Sequence, residues 1–331
     1  MKQTKRLLAL VLMLVLALSM AACNANETET ETPVDVKIMA LKGPTGIGMV
    51  KLMEDASSES SQGDRYEVSL ASAPDDITGQ IINGSVDIAA VPTNLASVLY
   101  QKTEGQVQVA ALNTLGVLYL LENGDTIQSI ADLKGKTIGA TGQGSTPEYV
   151  LKYILIQNGI DPDNDVTIEW YPEHSDLATV MSSGDVKIGM LPEPNVTAVL
   201  SANADVRSAL DMTEEWNKVA GEDSTLTMGC IVVQKKFAEE HKDALDRFLQ
   251  AYSESVEYVN ANVEEASQLV EKHEIMPKAA VAKKAIPNCN ITFVDGSTMK
   301  TQLSGFLQVL FDANPASIGG AMPDDNFYYA K

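Results

Sequence analysis

The sequence predicts an α/β protein of two units, and three observations carry that expectation. Short apolar strand candidates alternate with helical stretches from residue 34 onward. The alternation restarts at about residue 127 and runs for roughly another 100 residues. At 331 residues, the chain holds material for about two domains at roughly 150 residues each.

In the first unit, 34–41 (VDVKIMAL) reads as a strand by alternation and β-branching. A Gly- and Pro-rich turn over 42–48 follows, then a helix over 49–56. A second strand is expected at 66–72 and a short helix at 74–83. There Ile77, Ile81 and Ile82 share helical spacing and Gly84 stops the run. The third strand, 86–91, enters Pro92-Thr93-Asn94 and a helix to about 101, with Thr93 or Asn94 suited to cap it. A fourth strand spans 107–112, and 116–121 stays extended. The order β-α-β-α-β-α-β calls for a mostly parallel sheet flanked by helices.

The second unit opens with a helical turn at 127–133 and a strand at 137–140. Gly142-Gln143-Gly144-Ser145-Thr146-Pro147 leads into a helix over 148–158, closed by Gly159. Strands at 166–170, 186–190 and 206–210 alternate with helices at 175–183 and 193–202. From 226 the chain returns to a strand (LTMGCIVVQ). Helices follow at 244–260, 263–273, 278–285 and 298–313. No period of 20–50 residues marks a solenoid.

Composition narrows the function. Apolar residues make up 45% and charged residues 21%, an ordinary globular balance. Lys and Arg number 24 against 45 Asp and Glu, a formal charge of −21. A nucleic-acid partner would need a basic footprint, so none is expected. Three Cys rule out a disulfide scaffold, three His argue against a multi-histidine metal centre, and 5% aromatics argue against a sugar-stacking cleft.

The N-terminus reads as an export signal. Lys2, Lys5 and Arg6 precede an unbroken apolar run over 7–18. That run is too short for the ~20 residues of a bilayer span but suits a signal peptide. Ser19-Met20-Ala21-Ala22-Cys23 is similar to a bacterial lipobox, with Met20 where Leu is usual. Cleavage after 22 would make Cys23 the lipidated first residue, anchored in the membrane by its acyl chains. It would also remove three positive charges and take the chain from −21 to −24. Residues 24–33 (NANETETETP) lack any large apolar side chain and read as a disordered tether.

Several motifs in order resemble one family. Residues 130–139 (IADLKGKTIG) are similar to the entry into the second lobe of bacterial solute-binding proteins. Gly84-Ser85-Val86-Asp87-Ile88-Ala89 resembles another of their segments, echoed by Ser183-Gly184-Asp185-Val186. Gly144-Ser145-Thr146-Pro147 and Pro192-Glu193-Pro194 resemble the nitrate/sulfonate/taurine-type branch. The resemblance implies a two-lobed type II periplasmic-binding-protein fold with two crossovers. Lobe one would be 34–118 plus 228–331, and lobe two 119–227. It further implies a monomeric ABC-importer receptor for a small anionic or heterocyclic solute, working with permease subunits. Two alternatives stand beside it. One is a sensing ectodomain. The other is an enzyme like the thiamine-pyrimidine synthases, which needs a Cys-rich motif and a reactive His that are not evident.

Direct tests for chemistry fail. Gly135-Lys136-Thr137 lacks the upstream Gly of a P-loop, since Ile130 stands there. The 43–48 turn is not a dinucleotide fingerprint, and neither G-x-S-x-G nor H-E-x-x-H occurs. No catalytic residue, metal ligand or cofactor is therefore expected. His241 and His273 lie in charged stretches that read as surface, while His174 follows a strand end and suits either surface or cleft. Met49 and Met53 suit core, and of the neighbours Trp170 and Tyr171 only one side chain can face the ligand.

What remains are three polar turns at strand-to-helix junctions, where open parallel sheets place ligands and helix N-termini offer unpaired N–H donors. They nominate Thr45, Gly46, Thr93, Asn94, Gly144, Ser145 and Thr146 as ligand-binding. Asn113, at the first crossover, joins them. Glu193 either meets a ligand cation or caps its own helix. Cys230 and Cys289 form a candidate disulfide, favoured by an exported location.

Overall fold

Eleven strands divide between two mixed sheets in a computed structural model that describes residues 33–57, 63–221 and 224–330. The export signal, Cys23 and nearly all of the tether lie outside the described residues.

The first half follows the expected alternation. It runs β1 (Asp35–Leu41), a one-turn α1 (Pro44–Ile47), α2 (Val50–Ala56), β2 (Arg65–Ala71), α3 (Pro74–Ile82), β3 (Ile88–Pro92), α4 (Thr93–Lys102) and β4 (Val107–Leu115). The chain then enters the second sheet with β5 (Leu118–Asn123), β6 (Thr137–Thr141), α5 (Thr146–Gln157), β7 (Thr167–Tyr171), α6 (His174–Ser183), β8 (Ile188–Pro192), α7 (Asn195–Ala202), β9 (Val206–Asp211) and α8 (Met212–Val219). It returns through β10 (Thr227–Gln234) to α9 (Lys235–Glu240), α10 (Lys242–Ala261), α11 (Val263–Lys272), α12 (Ala279–Ala285), β11 (Ile291–Val294) and α13 (Gly296–Ala313).

The first sheet has the order β11-β4-β10-β3-β1-β2 and the second β7-β6-β8-β5-β9. Strand β1 pairs in parallel with β2 and β3, and β6 with β7 and β8. The strands that carry chain between sheets run the other way. Strand β10 lies antiparallel between β3 and β4, and β5 antiparallel between β8 and β9. The sheets are thus mixed rather than mostly parallel in their pairing. A strand arriving from the other sheet enters without a crossover helix, which parallel pairing would require. Five consecutive buried residues of β10, Gly229 to Val233, fit its central place.

Besides the short helices α1 and α9, which the sequence reading did not contain, three elements depart from it for reasons the structure shows. Strand β4 continues to Leu115 because its end pairs with β10 and β11. Strand β11 has four residues, too few for a periodic signal. Helix α8 starts where Asp211 accepts a hydrogen bond from the Thr213 N–H at 2.8 Å, a local cap the pattern did not expose.

The core is continuous across the two sheets. Helix α13, which follows β11, packs on α5 and, through Phe306 on Trp216, on α8 of the second sheet. The rings of Tyr153 and Trp216 lie 4.9 Å apart and those of Trp216 and Phe306 5.5 Å. Trp216 and Phe306 are fully buried. Met49 is core. Trp170 and Tyr171 pack into different apolar clusters, as neighbours on a strand must. His273 is not a free surface residue, because its Nε2 lies 2.8 Å from Glu54 Oε2.

The disulfide expectation is corrected. Cys230 and Cys289 are both free and buried. Cys230 sits on β10 and Cys289 just before β11, with β4 between those strands. Two strand spacings amount to roughly 10 Å, beyond the ~7 Å between Cα atoms that a bridge spans. Burial also raises both thiols well above their ordinary range.

Candidate functional site

Six strand ends open on one cavity of about 580 Å³. From the first sheet come Lys42 and Thr45 after β1, Pro74 at the start of α3, and Asn94, Leu95 and Val98 on α4. From the second come Ser145, Thr146 and Pro147 at the start of α5, His174 at the start of α6, and Glu193 and Asn195 at the start of α7. Thr114, Val117 and Met228, at or beside the crossovers, complete the wall.

The lining is rigid and largely apolar. Six prolines border it: Pro44, Pro74, Pro92, Pro147, Pro192 and Pro194. Each fixes its own φ and carries no N–H, so the polar contacts fall to few groups. Among the described residues, no aromatic side chain lines it apart from the His174 imidazole.

Helix α5 presents its N-terminus to the cavity. Ser145 is the N-cap in extended conformation, and its hydroxyl donates to the Gly142 carbonyl at 2.7 Å rather than capping the helix. Gly142 has φ +75, and a Cβ there would meet the Pro147 ring at 2.8 Å, so the turn needs glycine. Thr146 is 5% exposed, yet its hydroxyl has no hydrogen-bond partner among the described residues and borders the cavity. It is a donor held ready beside the positive end of a 12-residue helix.

Glu193 is 2% exposed. Its Oε2 accepts from the Thr197 N–H at 3.1 Å and its Oε1 from the Thr197 hydroxyl at 3.0 Å. Of the two roles read for it, the geometry shows the helix cap, while the residue still borders the cavity. Burial raises its carboxyl above the ordinary range, against the lowering effect of Thr197. His174 also borders the cavity, with Nδ1 2.6 Å from the Thr141 hydroxyl. Burial pushes its imidazole below its ordinary value, against the opposing charge of Glu173, so the neutral ring prevails at pH 7. Lys42 is exposed and has no carboxylate partner among the described residues.

Of the residues nominated from sequence, Thr45, Asn94, Ser145, Thr146 and Glu193 meet on this cavity. Four others do not line it. Gly46 is buried against the Leu41 carbonyl, 2.4 Å from where a Cβ would stand. Thr93 is fully buried and donates to the Thr227 carbonyl at 2.8 Å. Asn113 is 1% exposed and donates to the Thr45 carbonyl at 3.1 Å. Gly144 turns away, its N–H bound to Glu148 Oε2 at 2.6 Å, onto a separate groove between α5 and α13. Lys42, Leu95, Val98, Asn195 and Met228 were missed. The offset of Asn195 from Glu193 held the only usable signal, because it opens the same helix.

The chain belongs to the NMT1/THI5-like family, whose family model matches residues 66–266. Its fold is shared by solved structures. An ABC transporter structure from Parabacteroides distasonis superposes with a TM-score of 0.76 at 22% identity, covering 90% of this chain and 99% of that one. The periplasmic aliphatic sulphonate binding protein SsuA from Escherichia coli gives 0.69 at 18% identity, covering 89% and 96%. The periplasmic nitrate-binding protein NrtA from Synechocystis gives 0.54 at 14%, covering 78% and 69%. No curated protein matches the chain. The family and the two-lobed periplasmic-binding fold thus agree with the resemblance carried by the sequence motifs. No helix among the described residues is long and apolar enough to cross a membrane.

Proposed function

We propose that this protein is an extracytoplasmic solute-binding lipoprotein that captures a small anionic or heterocyclic solute and delivers it to the permease of an ABC importer. It performs no chemistry on the solute. The observation that carries this reading is the cavity, lined from both sheets and from both crossovers. A solute held there touches two bodies that a hinge can bring together. The lobes are 34–118 with 228–331, and 119–227, with hinge motion at Asn113–Gly116 and Thr227–Gly229. Cys23 tethers the body to the membrane surface.

The α5 N-terminus, with Ser145 and Thr146, receives the anionic or acceptor end of the solute. Thr45 and Asn94 close from the other lobe. The apolar remainder lies along Leu95, Val98 and Met228. The similarity to sulphonate- and nitrate-binding structures supports this class of solute.

A thermal-shift panel of alkanesulfonates, taurine, nitrate, the thiamine pyrimidine and riboflavin tests the reading. A cognate solute at a hundred times its Kd adds about 2.7 kcal/mol and raises the melting temperature. Mass spectrometry should recover that solute unchanged after prolonged incubation. Conversion of it by the purified protein would overturn the transport reading in favour of an enzyme.

A further inference from the structure

Asn113 does not reach the cavity, yet its one amide group touches three segments of chain around it. Its Nδ2 donates to the Thr45 carbonyl at 3.1 Å, in the turn after β1. Its Oδ1 accepts from the Thr114 hydroxyl at 3.1 Å, on the strand that leaves the first sheet. Gly229, on the strand that returns, lies against the same Oδ1, and a Cβ there would stand 2.4 Å from it. Thr45, Thr114 and Met228, the neighbour of Gly229, all line the cavity.

The turn is packed through the fully buried Ile47 but has few other hydrogen bonds to the rest of the fold. Its start is held by the Lys42 N–H on the Ala71 carbonyl at 3.0 Å. Its end is held by the Ser255 hydroxyl on the Gly48 carbonyl at 2.7 Å. The Gly46 and Ile47 N–H groups both turn inward to the Gly43 carbonyl, which shapes the turn without fixing it to anything. Among the described residues, Asn113 is the hydrogen bond that holds the middle.

We propose that Asn113 is a positioning residue that locks the Thr45 turn to both crossover strands, with Gly229 present because any side chain there would push the Asn113 amide away. The inference rests on the reading of the cavity as a solute site. It assigns the placement of Thr45 to a residue that never meets the solute. It also couples residues distant in sequence, 113 with 45 and 229.

Hydrogen–deuterium exchange on the solute-free full chain tests it. Asn113→Ala should speed exchange across 43–48 by tenfold or more, with β4 and β10 still protected. Gly229→Ala should do the same, and the double variant should be no faster than Asn113→Ala alone, because removing the amide removes the closest clash and leaves only the Thr114 side chain, whose nearest atom stands 3.1 Å away. Asn113→Asp at neutral pH keeps the shape and loses the donor, so it should loosen 43–48 as the alanine does. The proposal is overturned if 43–48 stays protected in Asn113→Ala or Asn113→Asp. It is equally overturned if loosening spreads evenly through β4 and β10, or if the two single effects multiply in the double variant. No solute enters the measurement, so failure to find one leaves this result standing and bears only on the transport reading.

Discussion

Glu193 is a carboxyl buried at the edge of the cavity, where it accepts hydrogen bonds from the Thr197 N–H and hydroxyl and from the Asn288 side chain. Burial raises its pKa above the ordinary 4.5, so the folded state favours the neutral acid. The stability this group contributes is complete below the unfolded value and is lost as pH rises through the raised folded value. Glu193→Gln keeps the neutral form at every pH, and its amide can serve both Thr197 groups. We expect the variant to gain in melting temperature relative to the wild type as pH rises from 4.5 to 8. A difference that stays flat over that range contradicts the burial argument. Other single residues show why sequence reading stops short at this scale. Thr93 and Asn113 lie at a helix start and near a strand end that read as ligand-facing, but their hydrogen-bond partners, Thr227 and Thr45, lie 134 and 68 residues away. Nothing local marks a polar side chain as already satisfied.

Elements were legible where turn chemistry and periodicity act within a few residues. The start of α5 follows from Ser145-Thr146-Pro147, since proline suits the first helical turn, whereas α4 begins at Thr93 with Pro92 at the N-cap position and no side-chain cap from Thr93 or Asn94. The direction of β10 and β5, and the existence of β11, depend on which strand lies alongside, and no local pattern carries that. The packing of α13 on α5 and α8 is likewise tertiary. Phe306 is fully buried against Trp216 there. Phe306→Ala should therefore cost about 3–5 kcal/mol in urea unfolding, with a red shift of tryptophan emission as the neighbouring ring is lost. A loss below about 1 kcal/mol, inside the range of surface substitutions, would show that α13 does not carry the contact between the sheets.

For the whole molecule, the sequence announced two α/β units and the motifs announced the family, because both are written in order and spacing along the chain. The cavity was half legible. Its turns were marked by Gly, Pro, Ser and Thr, while Leu95, Val98 and Met228 look like any core residue until two sheets face each other. The location proposal has its own test: Cys23→Ser should release the protein from membranes into the medium, and a variant that still sediments with membranes contradicts the lipid anchor. A solute-binding protein of this kind grips its solute between the two sheets at the start of α5. Calorimetric titration of the panel's strongest solute into wild type and into a Ser145→Ala, Thr146→Ala variant measures this directly. One site per chain is expected, with an affinity tenfold or more weaker in the variant and its melting temperature in the absence of solute unchanged. An unchanged affinity, with the fold intact, would contradict it.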